Sequence, residues 1–251
     1  MIYFDGCCSL AAVSPGKDAR NDRSSITRDS LLVAAERLFA ENGLHGVSNR
    51  QISDAAGQGN NAAACYHFGS RADLLRAIEA RHHAEIDEIR RRMLTDMPPD
   101  AQLRDWIGIL VYPLTEHLHT LGPASTYARF AAQVMADPAC REVVGSDAMT
   151  SDRMLKTVRG INRSLPSRPK RIRVVRWTMA RNLLMHTCAE IEGERANGGA
   201  PSTSSWLVVG EELVDALVGL WKAPDVGPRA TQVRVRASSA RSGSAATLAG
   251  S

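Results

Sequence analysis

The side chains best suited to specific chemistry lie close together in one short segment of the chain. Asn60 and Asn61 carry amides that can read an adenine through two hydrogen bonds, and the methyl group of Ala62 can meet a thymine methyl. Tyr66 and His67 follow, and both can contact a phosphate or sugar oxygen. These residue types indicate contact with the bases and backbone of DNA.

Two of these residues also have a purely structural interpretation. Asn60 is a good helix N-cap, because its side-chain oxygen can accept a hydrogen bond from a backbone N–H group of the first turn. Tyr66 can instead pack against Phe68. The sequence leaves both alternatives open.

Two short helices are predicted to position these side chains. Ser48 and Gln51 form the S-x-x-Q pattern of a capping box, which begins the first helix. The segment 57–59, Gly-Gln-Gly, supplies positive-φ positions that end this helix and turn the chain. Residues 60–64, two asparagines that can cap and three alanines, favour a second helix. Two helices joined by a short glycine-containing turn form a helix-turn-helix, whose second helix can enter the major groove.

Further polar residues flank the two helices and are expected to hold the phosphate backbone. They are Ser48 at the start of the first helix, Arg50 on it, and Arg71 beyond the second. If Arg71 contacts a phosphate, Arg71→Ala should lower the affinity for all DNA sequences alike. Asn61→Ala should instead change the preference among sequences. Three earlier arginines could also reach phosphate, with a solvated tail as the alternative: Arg20, Arg23 and Arg28.

Residues 28–78 resemble the DNA-binding domain of TetR-family transcriptional regulators. The matching features are an amphipathic first helix ending in LFAENG, the segment from Ser48 to Gly57, and the run YHFGS followed by RADLL. Family members carry an aromatic-His-Phe run at the end of the recognition helix and a basic residue at the start of the next helix. The turn GQGNN is one residue longer than the commonest family version.

The resemblance implies an all-α protein with an N-terminal three-helix helix-turn-helix domain and a C-terminal helical domain that binds a ligand and dimerises. We expect four segments: a disordered arm (1–25), the DNA-binding domain (26–78), the effector-binding and dimerisation domain (79–222) and a disordered tail (223–251). Within them we predict helices at Thr27–Asn42 and Arg71–Asp96, then at about 100–120, 123–136, 137–163, 170–196 and 203–222.

Composition agrees with a helical globular protein. Hydrophobic residues make up 44% of the chain, charged residues 23% and aromatic residues only 5%. No stretch approaches the ~18 apolar residues of a membrane span, and the first residues make a poor signal peptide. We therefore expect a cytoplasmic protein without a membrane partner. The net charge of +4 equals the charge of the four arginines after Asp225, so residues 1–228 carry no net charge. The inference to DNA binding therefore rests on the motif and not on a basic surface.

No pattern for catalysis, metal binding or a cofactor is present in the sequence. The chain lacks G-x-S-x-G, H-E-x-x-H, a P-loop and a Rossmann glycine pattern, and its five cysteines have no zinc-site spacing. Three of them, Cys65, Cys140 and Cys188, are predicted to be small buried hydrophobes. His82 is expected to be a surface or interdomain histidine. We expect no enzyme, cofactor or metal.

The resemblance also implies a small-molecule pocket in the C-terminal domain. Its candidates are mostly apolar side chains at helical spacing, and such stripes are more often simply core. The candidates are Trp106, Leu110, Tyr127, Phe130, Met135, Met154, Trp177, Met179 and His186.

The last two predicted helices are more apolar than one buried face requires. Within the resemblance they pair with their copies in a second subunit, and the alternative is that they complete the core of one subunit. A dimer suits a two-fold operator, whose half-sites lie ~34–36 Å apart. The implied function is a repressor released from its operator by a small apolar ligand. The alternative is a ligand-independent or activating helix-turn-helix regulator controlled through a protein partner.

Overall fold

The computed structural model describes residues 17–149, 151–198 and 205–224. These residues form ten α-helices and no strand, so the predicted all-α class is confirmed. The first four helices are α1 (Lys17–Asn42), α2 (Asn49–Ala55), α3 (Ala63–Phe68) and α4 (Arg71–Thr95). The others are α5 (Leu103–Leu121), α6 (Tyr127–Ala136), α7 (Pro138–Met149), α8 (Asp152–Arg163), α9 (Lys170–Ala196) and α10 (Trp206–Lys222).

Two predicted segments differ from the structure at the N-terminal side. Helix α1 begins at Lys17 and not at Thr27, because residues 17–27 contain neither glycine nor proline and continue the helix. The prediction of a disordered arm is therefore wrong for residues 17–25, while residues 1–16 lie outside the described part. Most of the predicted tail, residues 225–251, also lies outside it.

The single helix predicted for 137–163 is wrong, because the structure divides it into α7 and α8. Ser151 is the N-cap of α8, and its hydroxyl accepts a hydrogen bond from the backbone N–H of Met154. A serine that caps a new first turn competes with continuation of the preceding helix. The predicted helices at 71–96 and 170–196 are confirmed as α4 and α9.

A small core holds the first helices together. Leu31 and Phe39 of α1, Ile52 of α2, Phe68 of α3 and Leu74 of α4 are all buried. Burial of each such side chain contributes about 1.5–3 kcal/mol to the free energy of folding, because apolar surface is removed from water. In this core α2 packs against α1, and α3 packs against α2 and α4. The outer side of α3 is left in solvent.

The remaining helices form a larger core in which α10 lies along α5 and α6 lies along α9. Glu192 of α9 is buried, and its carboxylate accepts hydrogen bonds from backbone N–H groups in the N-terminal turn of α6. Its carboxylate accepts hydrogen bonds from the Ser125 hydroxyl (2.6 Å), the Ala128 N–H (3.0 Å) and the Arg129 N–H (2.9 Å). A carboxylate at this position also interacts favourably with the helix dipole. Among the described helices, none has the length and apolar composition needed to cross a bilayer.

Helix α6 also joins the two cores. The rings of Phe39 and Phe130 stack with centroids 6.1 Å apart. The side-chain amide of Gln133 donates to the carbonyl of Ala40 at 3.1 Å. The first three helices are thereby fastened to the C-terminal helices through α6.

Candidate nucleic-acid interface

The capping box at the start of α2 is confirmed. The Gln51 side chain accepts from the backbone N–H of Ser48 at 2.8 Å, and the Ser48 hydroxyl accepts from the Gln51 N–H at 3.3 Å. Arg50 projects from the same turn with 74% of its side chain exposed, and its guanidinium is 3.7 Å from Asp54. Ser48 and Arg50 are both exposed, so each is accessible to a phosphate.

The turn before α3 differs from the prediction. Asn60 does not cap the recognition helix, because α3 begins at Ala63 and its N-cap residue Ala62 makes no side-chain capping bond. The Asn60 side chain instead accepts from the N–H of Ala62 at 2.9 Å, which stabilises the turn itself. Gly57 has the expected positive φ of 68°, which ends α2.

Ser53 supplies the support for α3 that a cap would have given. It is fully buried on α2, and its hydroxyl accepts from the N–H of Ala64 and donates to the carbonyl of Asn61, both at 3.3 Å. The first N–H groups of a helix have no partner inside the helix. Ser53 satisfies one of them from a neighbouring helix. The only sequence signal was a polar residue beside Ile52.

The predicted base-reading side chains form one exposed surface. Asn60, Asn61 and Ala62 are exposed, and Tyr66 is 83% exposed. The Tyr66 ring makes an edge contact with His67, with centroids 5.2 Å apart. Packing of Tyr66 against Phe68 is therefore the wrong alternative, because Phe68 is buried while Tyr66 projects into solvent.

Arg71 has a different role from the predicted phosphate contact. Its guanidinium donates to the carbonyl of Val47 at 2.8 Å and to the carbonyl of Leu44. It also lies over the ring of Phe39, 4.7 Å from the centroid. These donors are directed into the protein, so Arg71 ties α4 to the segment before α2. We correct its assignment from phosphate ligand to positioning residue.

Other basic and thiol groups lie beside α3. Arg28 is exposed and lies over the ring of Phe68, 4.8 Å from its centroid. Cys65 is exposed on α3, where its sulfur accepts from the Asn49 amide at 3.2 Å, so the prediction that it is buried is wrong. Cys140 is half-buried and Cys188 is buried.

The predicted pocket residues are dispersed through the C-terminal helices. Phe130 is in the stack with Phe39, and Tyr127 is buried beside two histidines. Trp177 makes an edge contact with Trp221, 4.9 Å between centroids. Trp106 is half-buried against Gly160. The remaining candidates are half-buried (Leu110, Met135 and Met154) or exposed (Met179 and His186).

Shallow cavities lie between helices of the described part, and of the predicted pocket residues Met179 lines one of two such cavities. The first, of about 380 Å³, lies between α9 and α10. It is lined by Arg171, Ile172, Val175, Arg176, Met179, Leu220 and Ala223. The second, of about 360 Å³, lies between α4 and α8 and is lined by Arg91, Leu94, Thr95, Asp152, Arg153 and Lys156.

The last two helices expose apolar side chains. Val175 and Met179 of α9 are each 50% exposed, and Leu183 follows one turn later. Leu207 and Val208 are exposed at the start of α10. These side chains lie outside the core that the same helices help to form.

Comparison with known proteins supports the sequence resemblance. Residues 31–78 match the family model described as bacterial regulatory proteins, tetR family. The HTH-type transcriptional repressor AcnR of Corynebacterium glutamicum is 27% identical over 96 residues, which cover 36% of this chain and 50% of AcnR. The HTH-type transcriptional repressor NicS of Pseudomonas putida is 27% identical over 92 residues, covering 36% of this chain and 43% of NicS. The chain thus spans about half the length of the curated relatives it matches.

Among solved structures, a TetR family transcription regulator from Marinobacter aquaeolei VT8 aligns with a TM-score of 0.51. The alignment covers 80% of this chain and 96% of that chain at 15% identity. At 15% identity this likeness shows that the two chains share a fold.

Proposed function

We propose that this chain is a member of the TetR family of bacterial regulatory proteins, whose model matches residues 31–78, and that it regulates transcription by binding a two-fold operator in double-stranded DNA. The observation that carries the proposal is the exposed row of Asn60, Asn61, Ala62 and Tyr66 along α3 and the turn before it. Residues 26–78 would form the DNA-binding domain, and residues 79–222 would bind the effector and dimerise.

Each side chain of the interface has a proposed role. Asn61 and Ala62 read bases, and Asn60 shapes the turn that presents them. Ser48 and Arg50 hold phosphate at one side of α3, and Tyr66 holds it at the other. His67 adds a further backbone contact.

We propose a homodimer formed through α9 and α10. Its support is the exposed apolar surface of these helices, which includes Val175, Met179 and Leu207. Burying such side chains against a second copy would contribute the favourable transfer of apolar surface from water. The pairing would also set the distance between two recognition helices.

Repression is the proposed sense of regulation, with release by a small apolar ligand in the C-terminal helices. Such a ligand would act by binding better to the conformation whose recognition helices no longer match the operator. The alternative is control through a protein partner, in a regulator that activates or needs no ligand. A derepression assay against a metabolite panel separates the two.

The test of DNA binding is selection from a random pool of double-stranded DNA at fixed salt. The wild type should recover a two-fold-symmetric motif, and Asn61→Ala should change the preferred bases in both half-sites. Asn197→Ala, at an exposed asparagine after α9, should leave the motif unchanged. Recovery of only salt-sensitive binding without sequence preference would overturn the proposal.

A further inference from the structure

Helices α9 and α10 lie antiparallel to each other, so the pair has two distinct ends. The guanidinium of Arg176 on α9 donates to the carbonyl of Trp221 on α10 at 2.8 Å, which places the start of α9 beside the end of α10. The guanidinium of Arg195 lies over the ring of Trp206, 4.3 Å from its centroid. The end of α9 therefore lies beside the start of α10.

The two ends of this helix pair carry opposite charge. The basic end has four exposed cations, Lys170, Arg171 and Arg173 of α9 and Lys222 of α10. The acidic end has four exposed carboxylates, Glu190 and Glu194 of α9 and Glu211 and Glu212 of α10. Within the described ranges only Glu211 among these eight side chains forms an ion pair, with Arg104 at 3.1 Å. Most of the charge at both ends is thus not neutralised within one subunit.

An exposed stripe on α9 connects the basic end to the acidic end. Its members follow one another at three or four residues and so share one face of the helix. They are Arg171, Val175, Met179, Leu183, His186 and Glu190. Val175 and Met179 are each 50% exposed, and Leu183 is 36% exposed. The stripe is basic at its start, apolar in its middle and acidic at its end.

This stripe is complementary to itself when its direction is reversed. Three pairs of its members share a midpoint at residues 180–181: Arg171 with Glu190, Val175 with His186, and Met179 with Leu183. In a two-fold contact, residue i of one copy meets residue j of the other, and j meets i. A two-fold axis at this midpoint therefore sets Arg171 of each copy opposite Glu190 of the other copy. The apolar residues Met179 and Leu183 then meet beside the axis.

We propose that α9 pairs antiparallel with α9 of a second copy of this chain, about a two-fold axis at residues 180–181. The inference rests on the proposed homodimer and adds its orientation and register. A parallel arrangement would set each basic end against the basic end of the other copy, and like charges facing each other weaken an interface. Charge complementarity thus selects the second copy in the reversed orientation.

The cavity between α9 and α10 supports the same orientation. It lies at the basic end, where Ile172, Val175 and Leu220 contribute apolar lining. At the acidic end, Leu207 of α10 is 61% exposed and Val208 is 43% exposed. Antiparallel pairing brings the acidic end of the second copy over the cavity. These apolar side chains and the cavity are then covered together, which removes apolar surface from water.

Reversal of the charges tests the orientation. Arg171→Glu should raise the dissociation constant of the dimer about tenfold, because two pairs of like charges then face each other in every dimer. Glu190→Arg should raise it by a similar factor. The variant carrying both substitutions restores opposite charges, so its dissociation constant should return to within about threefold of the wild type. Glu190→Gln only removes an attraction between exposed groups and should raise the dissociation constant by no more than about threefold.

Sedimentation velocity of the full chain without DNA, over a range of concentrations, measures these dissociation constants. Arg159→Glu is the matched control, since Arg159 is exposed on α8, and it should behave as the wild type. Unchanged dimerisation in both single reversals, or no recovery in the double variant, would overturn the proposed orientation. An effect of Arg159→Glu equal to that of Arg171→Glu would also overturn it.

Disulfide formation gives a second measurement that does not depend on charge. Val175→Cys mixed with His186→Cys should give a cross-linked dimer, whereas Val175→Cys alone should cross-link no more than the wild type. The two copies of residue 175 would be at least about 16 Å apart along the helices, and a disulfide needs Cα atoms within about 7 Å. Cross-linking of Val175→Cys with itself would show parallel pairing and overturn the proposal, also where the charge variants do not fold.

These outcomes are distinct from failure of the proposed function. A stable dimer that ignores the charge reversals refutes the antiparallel register but leaves the homodimer. A wild type that stays monomeric at every concentration refutes the homodimer and the register together. DNA is absent from all these samples, so operator binding is tested separately by the selection experiment.

Discussion

Replacing Arg71 separates two roles that an arginine beside a recognition helix can have. A phosphate ligand would give up DNA affinity and leave the fold intact. The structure instead directs its donors to the carbonyls of Leu44 and Val47 and places its guanidinium over Phe39. We therefore expect Arg71→Ala to act first on stability.

The magnitude follows from these contacts. Hydrogen bonds from a charged donor are worth about 1.5–3 kcal/mol each, and removing one leaves a carbonyl to find another partner. The guanidinium–ring contact with Phe39 adds about 0.5–1 kcal/mol. Because such terms are not additive and Arg71 is half-buried, a loss of about 3 kcal/mol is expected for Arg71→Ala. For a chain of this size that lowers Tm by about 6–12 °C.

Arg50→Ala is the matched comparison, because Arg50 is 74% exposed and its guanidinium is 3.7 Å from Asp54. Its removal should change stability by less than about 0.5 kcal/mol. A lost phosphate contact should reduce the slope of log K against log salt by about 0.9 per protomer. Arg71→Ala should leave that slope unchanged. Thermal unfolding and DNA binding over a range of salt concentrations measure both quantities in the same samples.

The opposite pattern would refute this reasoning. If Arg71→Ala lowered the salt slope as Arg50→Ala does, with Tm unchanged, then Arg71 would be a phosphate ligand in solution. Arg71→Lys adds a second check. It keeps the charge but not the planar pair of donors, so we expect it to restore little of the stability lost in Arg71→Ala.

Two further substitutions test the supports of α3 and α6. Ser53→Ala leaves the N–H of Ala64 without its acceptor. The free energy of unfolding should therefore fall by about 1–2 kcal/mol, and binding to all DNA sequences should weaken. An unchanged free energy of unfolding in urea would contradict this. Glu192→Gln introduces an amide NH₂ where every partner is a donor, so about 2–4 kcal/mol of stability should be lost in urea unfolding. Glu190 is exposed on the same helix, so Glu190→Gln should lower the free energy of unfolding by less than about 0.5 kcal/mol. Equal losses of stability at both positions would refute the role of Glu192.

The features that the sequence determined by itself are those whose partners lie within one turn of the chain. The capping box of Ser48 and Gln51 is one example, because both members belong to the same helix. The bounds of α4 and α9 are others, since Ser70 and Pro169 mark their starts locally. The exposed face of the recognition helix also followed from the motif alone.

Tertiary structure decided every feature that depends on a distant partner. The role of Arg71 depended on carbonyls that precede it by more than twenty residues. Ser53 and Glu192 complete the N-termini of helices other than their own, a role that local propensity does not encode. Glu79 faces the Tyr127 hydroxyl, and His117 faces His82, only because α4, α5 and α6 pack together. Charge, burial and hydrogen bonding at such a site depend on neighbours far away in sequence, and only the packed chain brings those neighbours together.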